Sequence, residues 1–420
     1  MRRRKQERVV TRRHGSKARP DAHPRPRPKA RREPTPKPST WYLLLGLVGV
    51  LIVVGLVMVL SASSVQSQRE SGSTWGYFVR QSIWTMISLG VLYVVCHIDY
   101  RFWRKVIPLL LVGAFGLLFV VLLPGVGLRV NGARSWLGIG PLRLQPSEVV
   151  KLTLLLFCAD LLARRHDRMD DWRLTLMPVL TVVGAAAFLI MLQPDLGSTI
   201  VMGAIVFSVL FVAGVPLGRL TGVFALGSAG ALVLALGKTY RRNRLLAFLH
   251  PSKDPSNTTF QINQSLMGVA SGRWFGVGLG ESRAKWGFLP NAHTDFIFAI
   301  IAEELGLVGA LLVVALFLAF AVLGIRAALQ APDRFGTLLA AGVTAWILTQ
   351  AFVNIGGVVG ILPITGLTLP FISFGGTSLV VTMAATGLLL NVASHGADAP
   401  RRAPRPTDTH PSRRPALSAR

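Results

Sequence analysis

Charge is scarce in this sequence, and acidic charge scarcest. Asp, Glu, Lys and Arg make up 15% of 420 residues, with 19 acids against 45 bases. A soluble domain carries about 25% charged residues, so a water-facing globule is excluded. Cysteine is rarer still. Cys96 and Cys158 are the only two, and both fall in apolar runs, which excludes a disulfide scaffold and leaves them as small buried apolar residues. The excess of base does not point to nucleic acid, because no aromatic stacking platform or nucleic-acid fold accompanies it.

What is present in quantity is apolar sequence. Hydrophobic residues are 51% of the chain, its mean hydropathy is +0.51, and they fall in blocks such as Trp41 to Leu60, which holds no charge. About 20 apolar residues let a helix cross a bilayer. Ten such spans are predicted, at about 41–62, 78–98, 105–123, 147–164, 173–192, 198–215, 219–237, 295–325, 336–358 and 373–394. The fold class is therefore an all-α polytopic membrane protein of about ten transmembrane helices. Ser61-Ala62-Ser63 resembles a cleavage site, but the apolar run before it exceeds a signal-peptide core, so the first span is read as retained.

Charge placement sets the expected topology. Residues 1–40 and 395–420 are basic tails; the first alternates proline with Arg and Lys and is expected to be disordered and cytoplasmic. Arg101, Arg104 and Lys105, then Arg164, Arg165, Arg168 and Arg173, then Arg219, and last Arg326 and Arg334 all fall on that same side, the positive-inside pattern with both termini cytoplasmic. Two loops on the opposite, outer side are too long for connectors: 125–147, and a large one at about 238–294. The second carries Lys238, Arg241, Arg242, Arg244, Lys253, Arg273, Arg283 and Lys285. Either it binds an anionic group such as pyrophosphate, or a long loop has crossed regardless of its charge.

Ionisable residues at membrane depth are functional candidates. Glu148 and Lys151 lie three apart at the start of the fourth span, on one helix face; they form either a functional pair or a structural lock. Asp195, in the run QPDLGS, reads as a helix cap. Asp295 joins the large loop to the eighth span and is either a general base or a cap. Glu303 and Glu304 lie two turns deeper, and at least one should face inward towards a basic partner. His293 with these three carboxylates lacks the two-histidine spacing of a zinc helix, so no protein-bound metal is expected. The glycine run 272–280 reads as a flexible or re-entrant segment packed on the bundle. Residues 363–376, which include the candidate Ser373, interrupt helix at the outer edge and should wall the same site.

Four runs carry a resemblance: NGARSWLGIGPLRLQPSEVVKL, LQPDLGST, KWGFLPNAHTDFIFAIIAEELGLVG and TGLTLPFISFGGTSL. In this order they resemble the SEDS family of bacterial cell-wall proteins, over about Trp41 to Ser394. The stretch TWGYFVRQ and the long basic tail are nearer to the division-type than to the elongation-type members. The resemblance implies a peptidoglycan glycosyltransferase that polymerises lipid II at the septum, in the bacterial cytoplasmic membrane. Its implied partners are a class B penicillin-binding transpeptidase and other membrane proteins of division. The family's essential aspartate falls on Asp295 and its paired glutamate and lysine on Glu148 and Lys151. Arg134, Arg143, Arg241 and Arg244 are candidates for stabilising the departing pyrophosphate, and His293, Glu303 and Ser373 for supporting contacts. No cofactor bound by the protein is implied; a divalent cation such as magnesium would enter with the substrate. Asn291 and Phe374 depart from the usual glutamate and tyrosine. A lipid II flippase, or a division scaffold without catalysis, are the alternative functions; the absence of a clear internal repeat speaks against a transporter.

Overall fold

The computed structural model describes residues 37–130, 133–139, 142–236 and 257–396. Eleven α-helices appear among them: α1 (Ser39–Ser71), α2 (Gly76–His97), α3 (Trp103–Leu122), α4 (Pro146–Arg164), α5 (Leu176–Leu192), α6 (Leu196–Ala213), α7 (Leu217–Leu236), α8 (Asn257–Ser271), α9 (Ile297–Leu329), α10 (Arg334–Val358) and α11 (Gly376–His395). Each expected span has its helix, and α8 is additional. Residues 1–36 and 397–420 of the basic tails and the loop residues Lys238, Arg241, Arg242, Arg244 and Lys253 lie outside the described residues.

Among the described residues, seven helices are long and apolar enough to cross a bilayer. The 17-residue α5 is shorter. In α4 four charges interrupt the apolar run, and they are paired: Glu148 with Lys151, and Asp160 with Arg104 and Arg164. Within their apolar windows, α11 is 83% buried and α10 67%, against 22% for α3, so α10 and α11 form the centre of the bundle and α3 its periphery.

One end of the bundle is a basic face, held together by polar contacts between its turns. Arg101 and the Tyr100 hydroxyl both reach Asp333, each at 2.7 Å. Arg219 donates to the carbonyl of Asp170, and Arg334 to that of Ala213. The other end is a loop face built from residues 123–145, α8, residues 272–296 and residues 359–375. The 33-residue α1, about 50 Å long against a bilayer core of about 30 Å, carries Arg69 and Glu70 out to it.

Helix α9 breaks where the sequence reads as continuous helix. Glu303 and Glu304 are buried, Leu305 to Ile325 carries no charge, and Gly306 between them has φ 69° and ψ −169°. A break frees backbone groups that lipid cannot satisfy. Here the glycine-rich segment satisfies them. Leu307 and Val308 donate to the carbonyls of Arg273 and Trp274 at 2.9 and 3.1 Å, while Val277 and Gly278 donate to those of Glu303 and Glu304 at 3.0 and 3.1 Å. Segment 272–278 is thus docked on the break through its backbone, with Trp274 and Phe275 left exposed. A Cβ on Gly306 would stand 2.3 Å from the Gly276 nitrogen, and its backbone conformation is open only to glycine. Gly306→Ala should therefore cost more than the ~1–3 kcal/mol of backbone strain alone. The expected readout is a lowered thermal midpoint in detergent, with faster proteolysis within residues 272–280; an unchanged midpoint would refute the fit.

The first long loop is not irregular. It forms a three-stranded antiparallel sheet, β1 (Gly127–Val130), β2 (Ala133–Ile139) and β3 (Leu142–Leu144), in that order, which adds a small β element to the expected all-α fold. The Thr377 hydroxyl donates to the Arg143 carbonyl at 2.7 Å, fastening β3 to the start of α11.

Candidate functional site

At the start of α4, Lys151 Nζ lies 2.9 Å from each oxygen of Glu148. Only the bond to Oε1 has hydrogen-bond geometry, and Oε2 has no hydrogen-bond partner. Both side chains are buried, Lys151 completely. The ammonium also donates to Gln350 Oε1 at 3.0 Å and sits 5.2 Å from the centre of the Trp346 ring. A buried pair is retained only if its remaining polar atoms are largely met, and α10 supplies that.

Asp195 caps α6. Its carboxylate accepts from the Ser198 amide at 3.0 Å and the Ser198 hydroxyl at 2.7 Å, and from Ser147 and Gln145 at 3.0 and 3.2 Å. The cap expected from the sequence is what forms, and it ties α6 to the start of α4.

Asp295 is half-buried in the turn 291–296 that leads into α9. The amides of Thr294, Asp295 and Phe296 all point to the Asn291 carbonyl, at 3.1, 3.2 and 3.4 Å. Asn291 has φ 58°, a left-handed conformation that asparagine visits more readily than most residues. Three further bonds fix the turn from outside. The Ser373 hydroxyl donates to the Thr294 carbonyl at 2.6 Å, the Phe374 amide to that of His293 at 3.0 Å, and Asn354 Nδ2 to that of Asp295 at 2.8 Å. Ser373, a sequence candidate, therefore acts on the turn's backbone.

The other candidates occupy different surroundings. Glu303 accepts from the Ser282 hydroxyl at 2.5 Å and the Arg283 amide at 2.9 Å. Glu304 accepts from Ser61 at 2.6 Å and faces Lys285 at 3.5 Å. Both glutamates point inward, and Glu303 serves to anchor the loop above α9. Arg143 is exposed on β3 and Arg134 half-buried on β2, with its Nε lacking a hydrogen-bond partner. Arg241 and Arg244 lie outside the described residues. A groove of about 480 Å³ near Arg273 and Trp274, between α8 and α9, includes none of Asp295, Glu148 or Lys151; the site is defined by its polar clamps rather than by depth.

With this geometry in place, comparison decides the family. The model of the FtsW, RodA and SpoVE family, described as cell cycle protein, matches residues 42–397. The chain belongs to this family. Stage V sporulation protein E of Bacillus subtilis (strain 168) is 41% identical over 361 residues, 86% of this chain and 99% of that protein. The probable peptidoglycan glycosyltransferase FtsW of Nitrosococcus halophilus is 42% identical, over 85% of this chain and 92% of that one. Among solved structures, a chain of a peptidoglycan synthase complex that coordinates polymerization and crosslinking has a TM-score of 0.70 at 31% identity, covering 84% of this chain and 98% of that chain. The rod shape determining protein RodA of Thermus thermophilus has a TM-score of 0.60 at 31% identity, covering 84% of this chain and 96% of its own. Relatives named FtsW are 38–44% identical to this chain.

His293 is the site's least expected element. It is 5% exposed and packed between Tyr77 and Phe374, with ring centroids at 4.6 and 5.6 Å, and its Nδ1 has no hydrogen-bond partner. Phe374 is thus one wall of the histidine's pocket. Burial lowers the His293 pKa to about 4, against a weak upward pull from Glu70. The unfolded chain takes up this proton near pH 6.5 and the folded chain only near 4, so folding releases it in between. The stabilising contribution of the neutral ring is present above pH 6.5 and is lost as pH falls towards 4, by about 3 kcal/mol. Wild type should lose that much more stability than His293→Gln over the window. Equal slopes in pH-dependent thermal unfolding would show that the ring titrates normally.

Proposed function

We propose that this chain is a peptidoglycan glycosyltransferase that polymerises lipid II, with Asp295 as its general base. The carrying observation is that a half-buried carboxylate stands at the start of α9 on a turn held from outside by two separate elements, α10 and the segment 359–375, within a family whose members bear the glycosyltransferase name. Asp295 removes the proton from the acceptor sugar's 4-hydroxyl. That oxygen attacks the anomeric carbon of the donor, the bond from this carbon to the pyrophosphate oxygen breaks, and undecaprenyl pyrophosphate leaves with the electron pair. The donor is α-linked and the product β-linked, so attack comes from the face opposite the leaving group. General-base assistance contributes about 10² to 10⁴ in rate. Arg134, Arg143, Arg241 and Arg244 are candidates to meet the charge developing on the pyrophosphate, and any divalent cation arrives with that substrate.

In this reading the loop face is extracytoplasmic, the basic face and both tails are cytoplasmic, and the protein works at the division septum beside a class B penicillin-binding transpeptidase. The test is polymerisation of fluorescent lipid II by the purified chain with its transpeptidase in liposomes. Glycan ladders with release of undecaprenyl pyrophosphate are expected. Transbilayer movement of lipid II without any polymer would assign the chain as a flippase instead.

A further inference from the structure

Helix α10 carries three buried nitrogen-bearing side chains at successive turns: Trp346, Gln350 and Asn354, exposed by 1%, 0% and 4%. Residues four apart share a helix face. Each amide on this face does two things. Gln350 Oε1 accepts from Lys151 Nζ at 3.0 Å and from Trp346 Nε1 at 2.9 Å, while its Nε2 donates to the Thr368 carbonyl at 3.0 Å. Asn354 Nδ2 donates to the Leu367 carbonyl at 2.6 Å and to the Asp295 carbonyl at 2.8 Å. The two amides therefore grip adjacent carbonyls of the same non-helical segment. From there one reaches the ion pair on α4 and the other the main chain of Asp295.

The orientation of Asn354 is dictated by its surroundings. Turning the amide over would aim Oδ1 at two carbonyl oxygens, so Nδ2 must face them. Its Oδ1 is then left buried without a hydrogen-bond partner, an unfavourable arrangement that packing alone does not require. An apolar side chain of similar size would fill the same space without it. What asparagine adds is a forked donor that spans two backbone segments.

We propose that Asn354 is a positioning residue for Asp295, and that Gln350 and Asn354 together make one face of α10 the common mount for the carboxylate and the Glu148–Lys151 pair. This rests on the reading of Asp295 as the base. A misplacement of about 1 Å in a reacting group costs about 10²-fold in rate, so Asn354→Ala should lower kcat for lipid II polymerisation by about 10- to 100-fold with KM unchanged. Asn354→Gln keeps the donor on a longer arm and should recover most of that loss.

The experiment measures kcat and KM for purified lipid II, with thermal midpoints, for wild type, Asp295→Asn, Asn354→Ala and Asn354→Gln, each with the transpeptidase. If the alanine variant does not accumulate, Asn354→Ser replaces it with the same expectation, since its hydroxyl is too short to reach both carbonyls. A folded alanine or serine variant with kcat within twofold of wild type overturns the proposal. So does equal loss in Asn354→Gln, or a loss carried wholly by KM. Failure of the underlying reading looks different: wild type makes no polymer, or Asp295→Asn retains full activity.

Discussion

Asp295→Asn is expected to reduce glycan polymerisation by about 10² to 10⁴ while leaving the fold and the transpeptidase complex intact. Asparagine has the size of aspartate and caps helices equally well, so it preserves whatever the side chain contributes to the start of α9. Two contacts that hold the turn use the main chain of Asp295: its amide on Asn291, and its carbonyl on Asn354. Neither depends on the carboxylate. The substitution therefore separates the two roles open to this residue. A cap predicts near-normal polymer and an unchanged thermal midpoint; a base predicts an intact protein that makes almost none. Asp295→Glu is informative alongside it, because it keeps the base and moves it by one methylene. Activity restored above the asparagine variant but below wild type would mean that the group is needed and that its placement is tight. Full polymerisation by Asp295→Asn, measured as lipid II consumed, would leave the residue as a cap.

The spans were legible because a bilayer demands long apolar runs, and every expected span has its helix. Three features were not. The sheet at 127–144 is made of strands of 4, 7 and 3 residues whose pattern is too short to separate from loop. The break in α9 leaves no mark in EELGLVG, because a lone glycine is tolerated in helices; only the docking of 272–278 gives it a purpose. Helix α8 is hidden when the large loop is read as one unit, although its apolar residues Ile262, Leu266 and Val269 follow a helical spacing. At the site, Asp295, Glu148 and Lys151 were found because charge at membrane depth is conspicuous. Gln350 and Asn354 were missed because they are neutral, yet two amides four apart within an apolar span carry the same signal. For Glu303, the sequence carries no mark of the chain returning over it at Ser282 and Arg283.

Lys151→Met should be the most destabilising of the site substitutions, by about 3–5 kcal/mol, because it leaves Glu148 charged and buried without its cation. Glu148 is 3% exposed, its Oε2 already lacks a hydrogen-bond partner, and Gln350 would lose the ammonium its carbonyl accepts from. The companion variant, Glu148→Gln with Lys151→Met, removes both charges at similar volume. Replacing a buried pair by uncharged residues is often neutral or stabilising, so the double variant should recover most of the thermal midpoint lost by the single one. Its activity then decides between the two roles left open for the pair. A structural lock predicts that polymerisation returns with the fold. A pair that meets the substrate predicts a stable protein that stays inactive, because the charges would be missing from the reaction while the helix they hold is in place. The first outcome is expected, since Lys151 is fully buried and its other partner, Gln350, lies on the helix that also holds the main chain of Asp295. A double variant as unstable as Lys151→Met would instead place the loss in packing around Trp346 rather than in uncompensated charge.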